Sequence, residues 1–276
     1  MKYLILTFIS LLFNYSACTN APKAVSNTTQ TTSVGQTKTT DSLLNNDIKL
    51  VDSTQNSLTT KQKAFNHELW NTLLQQYVSE DGQVNYKAFK KNKEKLSVYI
   101  ENLSKNVPDS SWKRNEVLAY WINAYNALTI DLIIKNYPVN SIKDIKNPWD
   151  QALWQFGDKQ VDLNHIEHDI LRKMNEPRIH FAIVCASYSC PKLANTAYTS
   201  NDLEAQLTAA TKTFLSNEKR NKIAPNKIEI SKIFKWFDDD FKKNGSLINF
   251  LNQYTDITIS EKARMSFKDY NWELNE

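Results

Sequence analysis

Cys185 and Cys190 stand at the two ends of a loop of small residues, Ala186-Ser187-Tyr188-Ser189, directly behind the apolar run Ile179–Val184. A thiol attacks carbonyl carbon or sulfur as its thiolate, so it needs a neighbouring base or a set of hydrogen-bond donors. The chain supplies candidates nearby: His180 inside the apolar run, and the cluster Asn164-His165-Ile166-Glu167-His168 just upstream. Loops at the ends of rigid elements present reactive groups to solvent. In the catalytic reading, Cys185 is the nucleophile and His168 or His180 is the base. Glu167 or a buried Asn orients that base, and the Ala186-Ser187 amides form an oxyanion hole. Ser187 and Ser189 are alternative nucleophiles or hydrogen-bond donors, and Cys190 lies in the same loop. The Cys-x₄-Cys spacing matches none of the tight zinc pairings, so neither a metal nor a cofactor is expected.

Each of these residues also has a structural explanation. A disulfide between Cys185 and Cys190 and a free pair both remain open. Glu167 falls inside the apolar arc of its helix (Ile166, Ile170, Leu171, Met174), where a carboxylate needs a partner or a proton. One resolution is a capping box, with Glu167 reaching back to the Asn164 amide. His168 sits at the edge of that arc and His165 further out. Asn123, Asn126 and Asp131 fall on one stripe of an otherwise apolar helix. Buried amides require partners, and fastening a crossing loop such as the one at Cys185 provides them. The alternative is that Asn123 or Asn126 orients a catalytic His or polarises a substrate carbonyl.

The elements that must position these groups follow from periodicity. Phe65, Leu69, Leu73 and Tyr77 have helical spacing, ended by Asp81-Gly82, and Phe89, Leu96, Ile100 and Leu103 suggest a second helix. Pro108-Asp109-Ser110-Ser111 starts a third, from about Trp112 to Asn136, apolar nearly all round and therefore buried. Leu153–Phe156 and Gln160–Leu163 flank Gly157-Asp158 as a hairpin. Asn164 caps a short helix to about Met174. The run from Arg178 reads as a buried strand, and its alternation puts His180 and Cys185 on opposite faces. A helix from Asn201 to about Leu215, a hairpin at Pro225-Asn226-Lys227 and a Ser231-capped helix toward Phe241 follow. A last helix spans Leu247–Tyr254, and Met265–Trp272 returns as a strand. The expected fold class is α+β: a mostly helical single domain around one long buried helix, with a small mixed or antiparallel sheet.

Composition narrows the function. Of 276 residues 41% are hydrophobic, and the four glycines form neither GxGxxG nor GxxxxGK[ST], which argues against phosphate loops. The net charge of +4 is scattered, so no nucleic acid is expected as a partner. Met1-Lys2 and the apolar Tyr3–Phe13 precede Ser16-Ala17-Cys18, which resembles the tail of a lipobox; Tyr15 departs from the usual Leu or Val. The expectation is a lipoprotein-type signal peptide over 1–18, with Cys18 lipidated. A Ser/Thr/Asn-rich tether over 19–60 and a globular domain over 61–276 follow. That implies an exported protein in a bacterial cell envelope, anchored to a membrane by lipid and facing the periplasm or exterior.

Several separate words in this chain resemble the domain of unknown function 547 family, found in bacterial exported proteins and in plant proteins. They are Asp81-Gly82-Gln83-Val84-Asn85-Tyr86, WINAYNALTI, HIEHDILR, PRIHFAIVCASYSCP, Ile233–Phe237 before Asp240-Phe241, and Tyr270–Leu274. The likeness runs from about Phe65 to the C-terminus and implies a fold boundary and a site, without a reaction. Some plant relatives are intracellular, where a structural disulfide is unusual; that implies a functional role for the thiols. Two expectations stand. One is a cysteine-dependent hydrolase or acyl transferase acting on a peptide or amide in the envelope. The other is a non-catalytic module with a Cys185–Cys190 disulfide, binding a small molecule, peptide or protein in a groove lined by Trp149, Trp154 and Tyr188.

Overall fold

A computed structural model describes residues 64–276. The leader, Cys18 and the tether lie outside the described residues. α1 (Glu68–Tyr77), α2 (Tyr86–Lys91) and α3 (Lys93–Lys105) precede the long helix α4 (Arg114–Asn136). The second expected helix is split in two at Asn92, whose amide closes the end of α2 on the Ala88 and Phe89 carbonyls.

α4 is 23 residues long and buried continuously from Leu118 to Ile134. Its composition would suit a membrane span, yet 94% of its apolar window is covered by the rest of the fold, so it is a core helix. It packs against α2, α3 and a π-helical segment, His165–Leu171. This is the α+β architecture expected, with short strands at the periphery: the hairpin β1 (Trp154–Phe156)–β2 (Lys159–Val161), and a mixed sheet in the order β3-β4-β5. β3 (Lys222–Ala224) and β4 (Lys227–Ile230) are antiparallel around the Pro225-Asn226 turn, and β5 (Arg264–Phe267) runs parallel to β4.

The core has two parts. The larger surrounds α4; the smaller gathers Phe181, Phe214, Phe234, Phe241 and Phe250 between α5 (Leu203–Ser216), α6 (Ile233–Trp236), α7 (Asp238–Phe241) and α8 (Leu247–Asn252). The segment Pro177–Val184 passes between them, giving Ile179 and Ala182–Val184 to the first and Phe181 to the second. This run is not a strand. Pro177 presets the first turn, the Glu176 side chain accepts from the Arg178 amide, and Pro177–Phe181 forms a 3₁₀ helix. Its apolarity reflects burial on two sides, which a short apolar run can express in either conformation. The opposite-face relation of His180 and Cys185 therefore disappears.

Nor does Asn164 cap the next helix. Its amide side chain donates to Asp150 Oδ1 at 2.6 Å, while Asp162 Oδ1 accepts from the His165 amide at 2.7 Å. Glu167 is not in a capping box; it is buried against Tyr125. The Ser231 hydroxyl does accept from the Ile233 amide, but the helix behind it breaks at Phe237 into α6 and α7. The C-terminal strand stops at Phe267, and the residues beyond it cross the cysteine loop instead.

Candidate active site

The buried polar groups of α4 act as fasteners. Asn126 donates from Nδ2 to the Ala182 carbonyl at 2.9 Å and accepts from the Val184 amide at 2.9 Å, so one side chain pins the chain entering the cysteine loop. Asn123 does the same for Tyr198, donating to its carbonyl (2.8 Å) and accepting from its amide (3.0 Å). Asp131 accepts from the Trp154 indole at 2.6 Å. Trp154 is thereby buried. These bonds are those that the structural reading of the amides requires.

From the other side, the C-terminal strap holds the loop. The Tyr188 and Ser189 amides donate to the Glu273 and Asn271 carbonyls, and the Asn275 amide donates to the Ala186 carbonyl. Ser189 is buried, and its hydroxyl accepts from the Asn271 amide at 2.9 Å. Ala186 sits at φ +60°, a left-handed conformation uncommon for a residue with a Cβ. The Cys185 amide points at Cys190 Sγ (3.2 Å), and the Cys190 amide donates to the Ser187 carbonyl. The Ser187 amide also donates to the Cys190 thiol, which leaves the Ala186 amide as the one in the loop not taken up by these bonds.

Cys185 and Cys190 are free thiols, the first half-buried and the second buried, and they hydrogen-bond to each other. Around Cys190 Sγ lie the Cys185 amide, the Ser187 hydroxyl and the Tyr270 hydroxyl, the last two at 3.1 Å each. Around Cys185 Sγ the same two hydroxyls are farther away, at 3.3 and 3.5 Å. Burial disfavours charge on either sulfur. At Cys190 the donors Cys185, Ser187 and Tyr270 outweigh it and bring the thiol down to about 6. Cys185, donating to its partner and also buried, is pushed well up. The donor set thus favours charge on Cys190 over Cys185.

Glu167, His168, His180, Cys185 and Cys190 line one cleft of about 200 Å³, walled by the aromatic rings of Trp149, Trp236, Phe237, Tyr270 and Trp272. Glu167 Oε2 accepts from the Tyr125 hydroxyl at 3.0 Å, and burial raises its carboxyl to about 7, so it is substantially protonated at neutral pH. His180 is buried and donates from Nε2 to Asp240 Oδ2 at 2.9 Å, with its ring stacked on Phe237 at 3.9 Å. Burial lowers its pKa against the pull of Asp240, leaving a neutral ring with its lone pair on Nδ1. His168 is exposed at the rim and accepts at Nδ1 from Arg172 Nη1 at 2.9 Å, which places the proton of the neutral ring on Nε2. Burial and the Arg172 charge both lower its pKa. Arg172 Nε also reaches Asp240 Oδ2 at 2.6 Å, linking the two histidines through one carboxylate. Burial works against the Asp240 charge, yet the His180 and Arg172 hydrogen bonds hold the carboxyl well below its usual range.

Asp240, Arg172 and Tyr270 carry no site role in the reading of the sequence, although all three fall in the words that resemble the family. Arg172 had a local signal, standing one helical turn after His168. Asp240 and Tyr270 reach the site from 60 and 80 positions beyond His180 and Cys190, and only tertiary packing brings them there. Among the described residues no group of three or more His, Cys, Asp and Glu is arranged to hold a metal ion.

A family model described as "Protein of unknown function, DUF547" matches residues 109–215. The matched segment belongs to that family. It contains α4, the π-helical segment, the cysteine loop and α5, and hence Glu167, both histidines and both thiols. Asp240, Tyr270 and the Trp236–Trp272 wall lie outside the DUF547 match, which is narrower than the span of similar words in the sequence. No curated protein and no solved structure matches the chain significantly.

Proposed function

We propose that this is a cysteine-dependent hydrolase or acyl transferase, taking an amide or ester carbonyl into the aromatic cleft. The observation that carries the reading is the convergence of a thiol pair in a nest of donors with a protonated carboxyl and an Asp-oriented imidazole. The pair's thiolate attacks the carbonyl carbon, forming an S–C bond. The Ala186 amide, together with the Ser187 amide that serves the Cys190 sulfur in the resting site, is the local donor for the developing oxyanion. As the bond to the leaving group breaks, Glu167 gives it a proton and becomes a carboxylate. Water then attacks the thioester, passing its proton to His180 Nδ1 while Asp240 stabilises the imidazolium. The acid product leaves and the thiolate returns. The imidazolium proton passes back to the Glu167 carboxylate through solvent, so charge and protons balance. An amine or hydroxyl in place of water gives transfer.

The Met1–Cys18 leader supports siting this chemistry at the cell envelope on a lipid anchor, with the protein facing the periplasm or exterior. Incubation with p-nitrophenyl acetate, an acid quench and peptide mass mapping tests the chemistry. An acetyl thioester on Cys185 or Cys190 is expected, absent from the C185S/C190S double variant and slow to form in E167Q. A protein that acquires no thioester on either thiol would refute it, leaving a non-catalytic binding cleft.

A further inference from the structure

Cys190 and Pro191 line a second cavity as well as the aromatic cleft: a groove of about 570 Å³ whose walls include Ser187, Tyr188 and Arg220. The cysteine loop is thus the partition between two spaces, and Cys190 lines both.

The groove contains an unusual arginine. The Arg220 guanidinium lies 4.2 Å over the Tyr188 ring and donates from Nη2 to the Tyr188 carbonyl, so its position is set by the residue two before Cys190. Such stacking on an aromatic face orders an arginine without neutralising it. Among the described residues, neither Arg220 nor its groove neighbours Lys192 and Lys219 is salt-bridged to a carboxylate. Arg220 Nε is moreover the one buried side-chain nitrogen or oxygen, among the described residues, left without a hydrogen-bond partner. That nitrogen is out of reach of solvent, so a carboxylate in the groove meets the guanidinium through its other N–H groups, as a charge-assisted pair. Two carboxylates, Asp81 and Glu276, also line the groove; Glu276 accepts from the Tyr137 hydroxyl, and neither reaches Arg220.

We infer that this groove is a second substrate subsite, in which Arg220 anchors a carboxylate on the fragment that leaves or accepts the acyl group. The aromatic cleft then takes the uncharged acyl part, and the two meet at Cys190. This assignment deepens the acyl-transfer reading and rests on it for the word substrate; anion binding at Arg220 stands by itself.

Two alkylating reagents of nearly the same shape separate the effects. Iodoacetate carries a carboxylate and iodoacetamide does not; with either, an S–C bond forms at the thiolate and iodide leaves. The quantity read is the rate constant for iodoacetate divided by that for iodoacetamide at Cys190, located by mass mapping. In R220A this ratio should fall about tenfold from wild type, and in R220K it should be partly retained, as expected for a charge-assisted contact. Acetate should compete with iodoacetate in the wild type more strongly than inorganic phosphate does. A ratio unchanged in R220A, or stronger competition by phosphate, overturns the carboxylate subsite. If neither reagent labels Cys190, the thiol chemistry fails, and titration of the Arg220 Nε–H nuclear resonance with acetate decides the anion site alone. A saturable shift upholds it, and no shift overturns it.

Discussion

Helix α4 and the cysteine loop both bury polar side chains, and they use them in opposite ways. On α4, Asn123 and Asn126 each meet one backbone donor and one backbone acceptor, so donors and acceptors are matched group for group. In the loop, several donors crowd a single sulfur, a carboxyl beside it is held protonated, and two imidazoles are held neutral. The first arrangement is what a fold requires of a buried amide. The second stabilises a charge that the protein itself does not neutralise, which is the signature of a site prepared for a reaction. Burial alone therefore does not separate structural from functional polar residues here; the balance of partners does.

Removing the Asn126 side chain in N126A orphans the Ala182 carbonyl and the Val184 amide, each worth about 2 kcal/mol, so stability should fall by about 4 kcal/mol in urea unfolding. A loss below about 1 kcal/mol would mean that α4 does not hold the loop. Glu167 is expected to show the reverse, a site residue that costs stability. Its folded pKa of about 7 lies above the ordinary carboxylate value, so the folded state binds the extra proton in between. Its stabilising contribution is full below about pH 4.5 and is lost as pH rises through 7, a difference of roughly 3 kcal/mol. Unfolding free energies of wild type and E167Q across that window should diverge accordingly, with the wild type losing ground as pH rises. Parallel curves would contradict a buried, protonated carboxyl.

Smaller changes sharpen the distinction. Y270F removes one donor from Cys190 and should raise the first thiol pKa by about one unit, or about 1.4 kcal/mol, read from thiolate ultraviolet absorbance against pH. Trp236 is 44% exposed on the cleft wall, so W236A should cost less than about 1 kcal/mol in stability while slowing acylation by p-nitrophenyl acetate. Loss of stability without loss of rate would make the aromatic wall a packing feature.

Much of this was legible in the chain. Apolar residues nearly all round Leu118–Ile134 announce a buried central helix, and Gly157-Asp158 and Pro225-Asn226 mark the two hairpins. Glu167, His168, His180, Cys185 and Cys190 were singled out by type, and they do share a cleft. The conformation of Pro177–Val184 was not legible, because burial between two cores imprints the same apolar pattern on a strand and on a 3₁₀ turn. Asn164 resembled a cap, yet Asp162 serves the His165 amide, since Asn164 is drawn to Asp150. Asp240 and Tyr270 stand in family-like words, but their site roles arise from approach in space, with no local spacing to betray them.

The central claim is that the Cys185–Cys190 pair carries a thiolate at neutral pH. Its most direct test is the pH dependence of iodoacetamide alkylation of the reduced protein, with the labelled sulfur identified by mass mapping. The account predicts an inflection near pH 6, in keeping with the depressed thiol, and its disappearance in the C190S variant. An inflection near pH 8.5, the value of an ordinary cysteine, would contradict it.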